Sequence, residues 1–321
     1  MRILITGVGG FVGGHLWRHL VEVTPQAEIH GTVLEDHTPI IGRVNVHTSV
    51  DLKDGERVRR LLVDIQPECI YHLAAQSSPS KSREPGGAWE TLETNIKSQL
   101  NLFEACLLLN LAPRILVISS GDIYGNSAAA EPLTESSPFR PRSPYAVSKA
   151  AQDLLGLQYH LTEHLPVLRV RPFNHTGPGQ SLGFVAPDYA YRIARIEAGQ
   201  SEPVLTVRSP SVQRDFSDVR DVVRAYRLVM EKGIPGEVYH VASGKTYSVR
   251  SLVDTLVSYA RRPIQVEYET DDEGSHAHTG FQVDTTKVRQ TVGWWPEIPF
   301  EQTLLDVLND WRQRIRISAQ P

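Results

Sequence analysis

The sequence predicts an α/β protein: a doubly wound parallel sheet followed by a smaller C-terminal α/β part. Three observations predict it. Short apolar runs alternate with helically patterned segments through the first half, a glycine-rich turn joins the first run to the first helix, and the texture changes near residue 172, where Gly, Pro and Ser cluster. A length of 321 residues suits one large domain with a smaller appendage better than three ordinary domains. With 40% apolar and 22% charged residues, disorder, collagen and coiled coil are excluded as descriptions of the whole.

Residues 2–6 read as the first strand and are followed directly by glycine. Residues 11–23 follow with helical spacing through Phe11, Leu16 and Leu20. Residues 28–33 and 44–47 read as the second and third strands, and 55–65 as a helix with Val58, Leu61, Leu62 and Ile65 on one side. Residues 69–73 and 115–119 are two more buried strands, with 92–109 between them as one long helix, apolar almost all round. Near-continuous apolar strands fit a parallel sheet covered on both faces and joined by right-handed crossovers. Beyond the change in texture, 186–198, 219–231, 248–260 and 300–315 carry helical patterns, and 237–241 is where the chain is expected to return to the sheet. The expected division is 1–175 for the sheet domain and 176–321 for the smaller one.

Charge and cysteine content narrow the function. Lys and Arg number 33 against 37 Asp and Glu, a formal charge of −4, which argues against a general nucleic-acid or anionic-membrane surface. Only Cys69 and Cys106 are present, so a reducing, cytoplasmic setting is expected. No leader pattern and no apolar run long enough for a membrane span is seen. No His, Cys or Asp spacing suggests a metal site.

The stretch Gly7-Val8-Gly9-Gly10-Phe11-Val12-Gly13 sits between the first strand and the first helix. Gly7 permits a tight turn, Gly10 a close approach of backbone to a pyrophosphate, and Gly13 close packing of helix on strand. The free N–H groups of the helix start then favour a phosphate, so a dinucleotide site is expected. Glu35 and Asp36 follow the second strand, with no Lys or Arg before Arg43. A carboxylate accepts from a ribose 2′-hydroxyl and repels a 2′-phosphate, which favours NAD(H) and leaves NADP(H) open; a solvated acidic loop is the alternative. Asp51 and Leu52 read as an adenine contact, or Asp51 as the cap of the next helix.

Tyr145 and Lys149 stand at i and i+4 and share one helix face. Ser143 reads as the helix cap and Pro144 as its first residue. The helix dipole and Lys149 are expected to lower the Tyr145 phenol and make it a proton shuttle for a carbonyl or alcohol oxygen. The strand before it ends in Ser119-Ser120-Gly121-Asp122, at the sheet edge where ligands bind in open α/β folds. Ser120 can donate to a substrate oxygen. Asp122 reads as an acid, a base or a hydroxyl anchor. For both, a helix cap or turn is the alternative.

These residues, with His72-Leu73-Ala74-Ala75, Thr94-Asn95 and Arg171-Pro172-Phe173-Asn174, resemble the extended short-chain dehydrogenase/reductase family from residue 1 to about residue 314. The resemblance implies a Rossmann-type domain, a Ser120, Tyr145, Lys149 triad, and cofactor contacts at Leu73, Ala74, Ala75, Pro172 and Phe173, with Asn95 helping Lys149 through water. The stretches 117–125 and 171–185 look like the GDP-6-deoxy-4-keto-D-mannose reductases. The related GDP-mannose 4,6-dehydratases have Thr at the Ser120 position, Glu at Asp122, and an arginine pair where this chain has Gly-Pro-Gly-Gln. The shorter Asp122 disfavours the dehydratase. Some reductases carry a basic residue where this chain has Leu34.

The implied substrate is a GDP-linked 4-keto-6-deoxy sugar. Arg214 is expected on its diphosphate with Asn174 and the backbone at Phe184 and Val185, and Arg208 as a second cation. An ion pair of Arg214 with Asp215 or Asp218 is the alternative. His175, His276 and His278 read as polar loop histidines, and Trp294-Trp295 as core or pocket wall. The resemblance further implies a homodimer through helices 92–109 and 145–159, against burial of both within one chain. A dehydratase or epimerase, and a non-catalytic dinucleotide sensor, are the competing functions.

Overall fold

The computed structural model describes residues 1–34, 42–125, 131–270 and 282–318. Its centre is a seven-stranded sheet. The strands are β1 (Arg2–Thr6), β2 (Glu28–Thr32), β3 (Asn45–His47), β4 (Cys69–His72), β5 (Arg114–Ile118), β6 (Val167–Pro172) and the strand Val238–Val241. Every pairing is parallel, in the order β3-β2-β1-β4-β5-β6 and then Val238–Val241. The order reverses between β1 and β4, the place where a doubly wound sheet opens a crevice beyond its carboxyl ends.

Period-two burial explains the layers. In β1, Ile3 and Ile5 face the core that holds α1 (Phe11–Val23) and α7 (Val219–Lys232), while Leu4 faces the core that holds α2 (Gly55–Ile65) and α4 (Ser98–Leu108). A further core gathers α6 (Val185–Glu197), α8 (Val249–Ser258) and α9 (Phe300–Ser318) around the paired strands Val204–Val207 and Gln265–Tyr268. The cores do not follow a single cut at residue 175. Val222, Tyr226, Tyr239, Val288 and Trp294 all pack with the dinucleotide-side core.

Two readings need correction. The expected helix 92–109 begins earlier, as α3 (Gly87–Leu92), and passes through a π-helical turn, Glu93–Lys97, before α4. The extra residue of that turn aims Asn95 into the interior. The Trp pair divides: Trp294 is fully buried and donates to the Asp221 carbonyl, whereas Trp295 is exposed. Among the described residues no helix is long and apolar enough to cross a membrane.

One buried ion cluster joins helix to sheet. Asp153 lies on α5 (Pro144–Glu163) and is fully buried. It accepts from Arg169 Nη1 at 2.7 Å, Arg171 Nε at 2.8 Å and Arg171 Nη2 at 3.0 Å. Arg169 and Arg171 alternate along β6 with Leu168 and Val170, so the two cations face α5 and the two aliphatics the opposite core. Removing the carboxylate leaves two guanidinium groups buried. Asp153→Asn is therefore expected to cost about 3–5 kcal/mol, read as a lower midpoint in urea unfolding; a change below about 1 kcal/mol would show that the cluster does not hold α5.

Candidate active site

The glycine turn closes β1 onto α1. Gly7 has φ +71°, and a Cβ there would lie 3.0 Å from the Ala74 Cα. A Cβ at Gly13 would lie 2.3 Å from the Gly7 carbonyl oxygen and 2.9 Å from the Val8 Cα, so only glycine lets the helix approach the strand this closely. Gly10 caps α1 without a side-chain hydrogen bond, leaving the first-turn N–H groups for a ligand. Beside it, Thr6 Oγ1 accepts from the Ala74 N–H at 3.1 Å and bonds His72 Nδ1 at 3.0 Å, which fixes the end of β4.

From the other side come β5, β6 and α5. Ser143 accepts from the Ala146 N–H at 3.1 Å and Pro144 opens the helix, as the sequence predicts. Ser120 accepts from the Asp122 N–H at 3.1 Å and starts the turn Gly121–Tyr124, so its hydroxyl both caps that turn and lines the cleft. Lys149 Nζ donates to the Ile118 carbonyl and to Gln152 Oε1, each at 2.9 Å.

These elements bound one cleft of about 490 Å³. It is lined by Gly7, Gly10, Phe11, Val12 and Gly13, by Leu73, Ala74 and Ala75, and by Pro172, Phe173 and Asn174. Ser120, Asp122, Tyr145, Lys149, Phe184 and Arg214 line it as well. The turn, the open helix start and the enclosed walls fit a nicotinamide dinucleotide.

Other expected residues lie elsewhere. Asp51 accepts from the Lys53 N–H, and the cap of α2 is Asp54, which accepts from the Glu56 and Arg57 N–H groups. The capping alternative for Asp51 is thus overturned: the helix starts later than Asp51 can reach. Leu52 is buried in the core, with its carbonyl accepting from Asn101. Asn95 Oδ1 accepts from the Gln76 N–H at 2.7 Å, and Nδ2 donates to the Gln76 carbonyl and to Ser148 Oγ. It braces one wall against α5 and does not line the cleft. Val185 is the first residue of α6, whose Phe184 cap has no side-chain bond. Arg208 is 83% exposed beside Glu269 and outside the lining. Glu35 and Asp36, like His276 and His278, lie outside the described residues.

Electrostatics depart from expectation at one point. The phenol of Tyr145 is raised, not lowered: burial is the main cause, Asp122 adds to it, and Ser120 as a hydrogen-bonding neighbour opposes it. The dipole and Lys149 do not outweigh desolvation. Lys149 is itself pushed down to about 7 by burial. Enclosure raises the Asp122 carboxyl, against the pull of Arg214 and Arg83. Arg214 is lowered by burial, with Asp122 opposing. The ion-pair alternative for Arg214 does not occur: Asp215 accepts from the Ser243 and Gly244 N–H groups, and Asp218 is held by Arg220 and Thr303.

Several lining residues were not legible. His175 stacks on Phe11 with centroids 6.3 Å apart, and burial keeps it neutral; it is a cleft residue and not the polar loop histidine expected. Gln180, paired with Thr176, lines the cleft near it. Tyr226 reaches the cleft from α7 although it is 1% exposed. Only the Gly-Pro-Gly-Gln run was a signal in the sequence, and it marked Gln180 alone. Gly13→Ala is expected to destabilise the fold by about 1–3 kcal/mol, because backbone and not side chain must move. It is also expected to weaken NADH or NADPH binding at least about tenfold in a fluorescence titration. Unchanged affinity would remove the glycine turn from the dinucleotide site.

Comparison with known proteins bears on this geometry. The family model described as GDP-mannose 4,6 dehydratase matches residues 4–307. GDP-6-deoxy-D-mannose reductase from Pseudomonas aeruginosa is 36% identical over 317 residues, covering 98% of each chain. The structure of RMD from Pseudomonas aeruginosa complexed with NADPH matches with a TM-score of 0.83 at 34% identity, over 98% of this chain and 99% of that one. UDP-glucose 4-epimerase from Thermus thermophilus, in complex with NAD, matches with a TM-score of 0.83 at 26% identity, over 97% and 99%. With a Rossmann-type sheet, a dinucleotide cleft and these full-length likenesses, the chain belongs to the GDP-mannose 4,6 dehydratase family, enzymes that act on nucleotide sugars with a nicotinamide dinucleotide.

Proposed function

We propose that the chain reduces the 4-keto group of GDP-6-deoxy-4-keto-D-mannose to give GDP-D-rhamnose. The observation that carries the reading is the convergence of Ser120, Tyr145 and Lys149 on the same cleft as the glycine turn. Full-length similarity to a GDP-6-deoxy-D-mannose reductase supports the same choice. The turn and the strand ends at 73–75 and 172–173 would hold the dinucleotide, which supplies the hydride when bound.

The chain's own groups supply position and a proton. Tyr145 gives its phenolic proton to the C4 oxygen as that oxygen becomes an alcohol. The phenol is protonated at neutral pH, as a donor must be, and burial raises it further, so the proton leaves only as charge develops on the substrate oxygen. Ser120 donates to the same oxygen, where negative charge develops in an enclosed site. Lys149 binds the nicotinamide ribose. Arg214 takes the diphosphate together with the uncapped start of α6 at Phe184 and Val185. NADH is the proposed donor on the sequence alone, since Glu35 and Asp36 follow the second strand, where a carboxylate would repel a 2′-phosphate; the NADPH complex of a relative states the opposing case.

One observation favours a second reading. The Asp122 carboxyl lies in the cleft and is raised, as a group that shuttles a proton requires. That would serve a 4,6-dehydratase, in which a carboxyl removes the C5 proton.

The homodimer belongs to the same proposal. Val147, Leu154 and Leu161 recur every seven residues on α5 and are 44%, 54% and 63% exposed, with Leu108 of α4 also exposed. An apolar stripe of this kind on a helix face suits a second copy of the chain.

Purified protein given the keto sugar and NADH or NADPH is expected to oxidise one dinucleotide per GDP-D-rhamnose formed, followed by loss of dihydronicotinamide absorbance. Tyr145→Phe should lower kcat/KM by about 10²–10⁴. The kcat/KM is expected to fall as pH rises through about 7, where Lys149 of the free enzyme loses its charge. Conversion of GDP-mannose to a 4-keto product by the protein alone, with no net oxidation, would make it the dehydratase. A Tyr145→Phe variant equal to wild type in every assay would favour the sensor. In sedimentation, Leu154→Asp should turn a dimer into a monomer; a wild-type monomer would end the dimer proposal.

A further inference from the structure

Among the described residues, Lys149 is a buried amine with no carboxylate partner. It is 5% exposed, and two of its three N–H donors go to neutral oxygens, the Ile118 carbonyl and Gln152 Oε1. Gln152 is 1% exposed and stands three residues along α5, on the same helix face. Its backbone carbonyl accepts from Gln99 Nε2 at 2.8 Å, so α4 fixes this turn from behind. The next residue, Asp153, is a carboxylate, but it is committed to Arg169 and Arg171. The acceptor within reach of the amine is therefore an amide.

That choice has physical consequences. A carboxylate at this position would pair with the ammonium and hold it away from the cleft. An apolar side chain would leave the ammonium one acceptor short in a desolvated site. An amide oxygen accepts one hydrogen bond without fixing the charge. We propose that Gln152 is a positioning residue for Lys149: its neutral amide oxygen holds the amine at the end of β5 with one N–H left for a ligand in the cleft. The inference rests on the proposed function only in taking that ligand to be the dinucleotide.

The charged and titratable surroundings of Lys149 are sparse among the described residues. His72 of β4 is kept neutral by burial, pushed down to about 3, with Nε2 unpartnered. Tyr145 shares α5, and Asp122 lies beyond it and bears on the phenol. The strand β5 presents only its Ile118 carbonyl. Among the described residues no acid offsets the burial that pushes Lys149 down to about 7, so a change of charge at position 152, in hydrogen-bond contact with the amine, would act on its protonation unopposed.

The test is an NMR titration of lysine 13Cε signals in the free, full-length protein. There are seven lysines, and the Lys149 signal is assigned by its loss in Lys149→Met. Gln152→Glu should raise the Lys149 midpoint by about one to three units, and the near-isosteric Gln152→Met should lower it by about one. NADH and NADPH affinity, measured by fluorescence across pH, should fall about tenfold in Gln152→Met at pH 7 and change its pH dependence in step with the amine. Midpoints within about 0.3 units of wild type in both variants would overturn the proposal. So would an equal loss of affinity at every pH with an unmoved midpoint, which would mark Gln152 as scaffold. Failure of the wild type to bind either dinucleotide would sink the proposed function instead, while the titration would still decide the role of Gln152.

Discussion

Asp153, fully buried on α5, accepts from both Arg169 and Arg171 of β6, and Arg171 carries the contact on to Tyr124 Oη at 2.6 Å and the Glu135 carbonyl at 2.7 Å. Tyr124 in turn meets His240 Nε2 at 2.6 Å, on the last strand of the sheet. The helix that carries Tyr145 and Lys149, the turn that carries Asp122, and two neighbouring strands therefore share one polar anchor. Breaking a buried ion pair is costly because it leaves an uncompensated charge. Here both guanidinium groups meet the one carboxylate of Asp153, so α5, which carries Tyr145 and Lys149, is held against β6. Period-two alternation along β6 makes this possible, since it places both arginines on the helix side without disturbing the aliphatic face behind.

The chemistry of the cleft follows from its enclosure. The chain is acidic overall, yet the cleft is supplied with donors: open N–H groups at two helix starts, the hydroxyls of Ser120 and Tyr145, and the cations Lys149 and Arg214. Burial keeps His72 and His175 neutral and the phenol protonated, and it loosens the proton on Lys149. A site of this kind suits anions and, in the proposed reaction, the negative charge that develops on a substrate oxygen. Asp122 is the counterweight, an acid raised by loss of solvent while Arg214 and Arg83 pull the other way.

Features decided within a few residues were legible. The glycine turn, the Ser143 cap with Pro144 after it, and the Tyr145 and Lys149 spacing each depend on local backbone geometry. The strands read off apolar runs agree with the sheet to within about a residue at most ends. Misreadings arose where a distant partner intervened. Asp51 and Asp54 are equivalent as caps in sequence, and the path of the chain after β3 selects Asp54. A helix with a π turn has the same composition as one without it. Trp294 and Trp295 are neighbours in sequence, but only one meets the Asp221 carbonyl.

By itself the sequence determined the α/β class, the glycine turn between β1 and α1, and the helical spacing of Tyr145 and Lys149 on which the proposed proton transfer rests, because these depend on backbone sterics, helix periodicity and side-chain chemistry. Tertiary structure alone decided which charges are paired and which are free. Arg214 escapes Asp215 and Asp218, and Lys149 meets an amide and not an acid. The directions in which Tyr145, Lys149 and Asp122 are shifted were decided there too. Desolvation and pairing are sums over atoms drawn from strands and helices far apart in the chain, and no short stretch of sequence contains them.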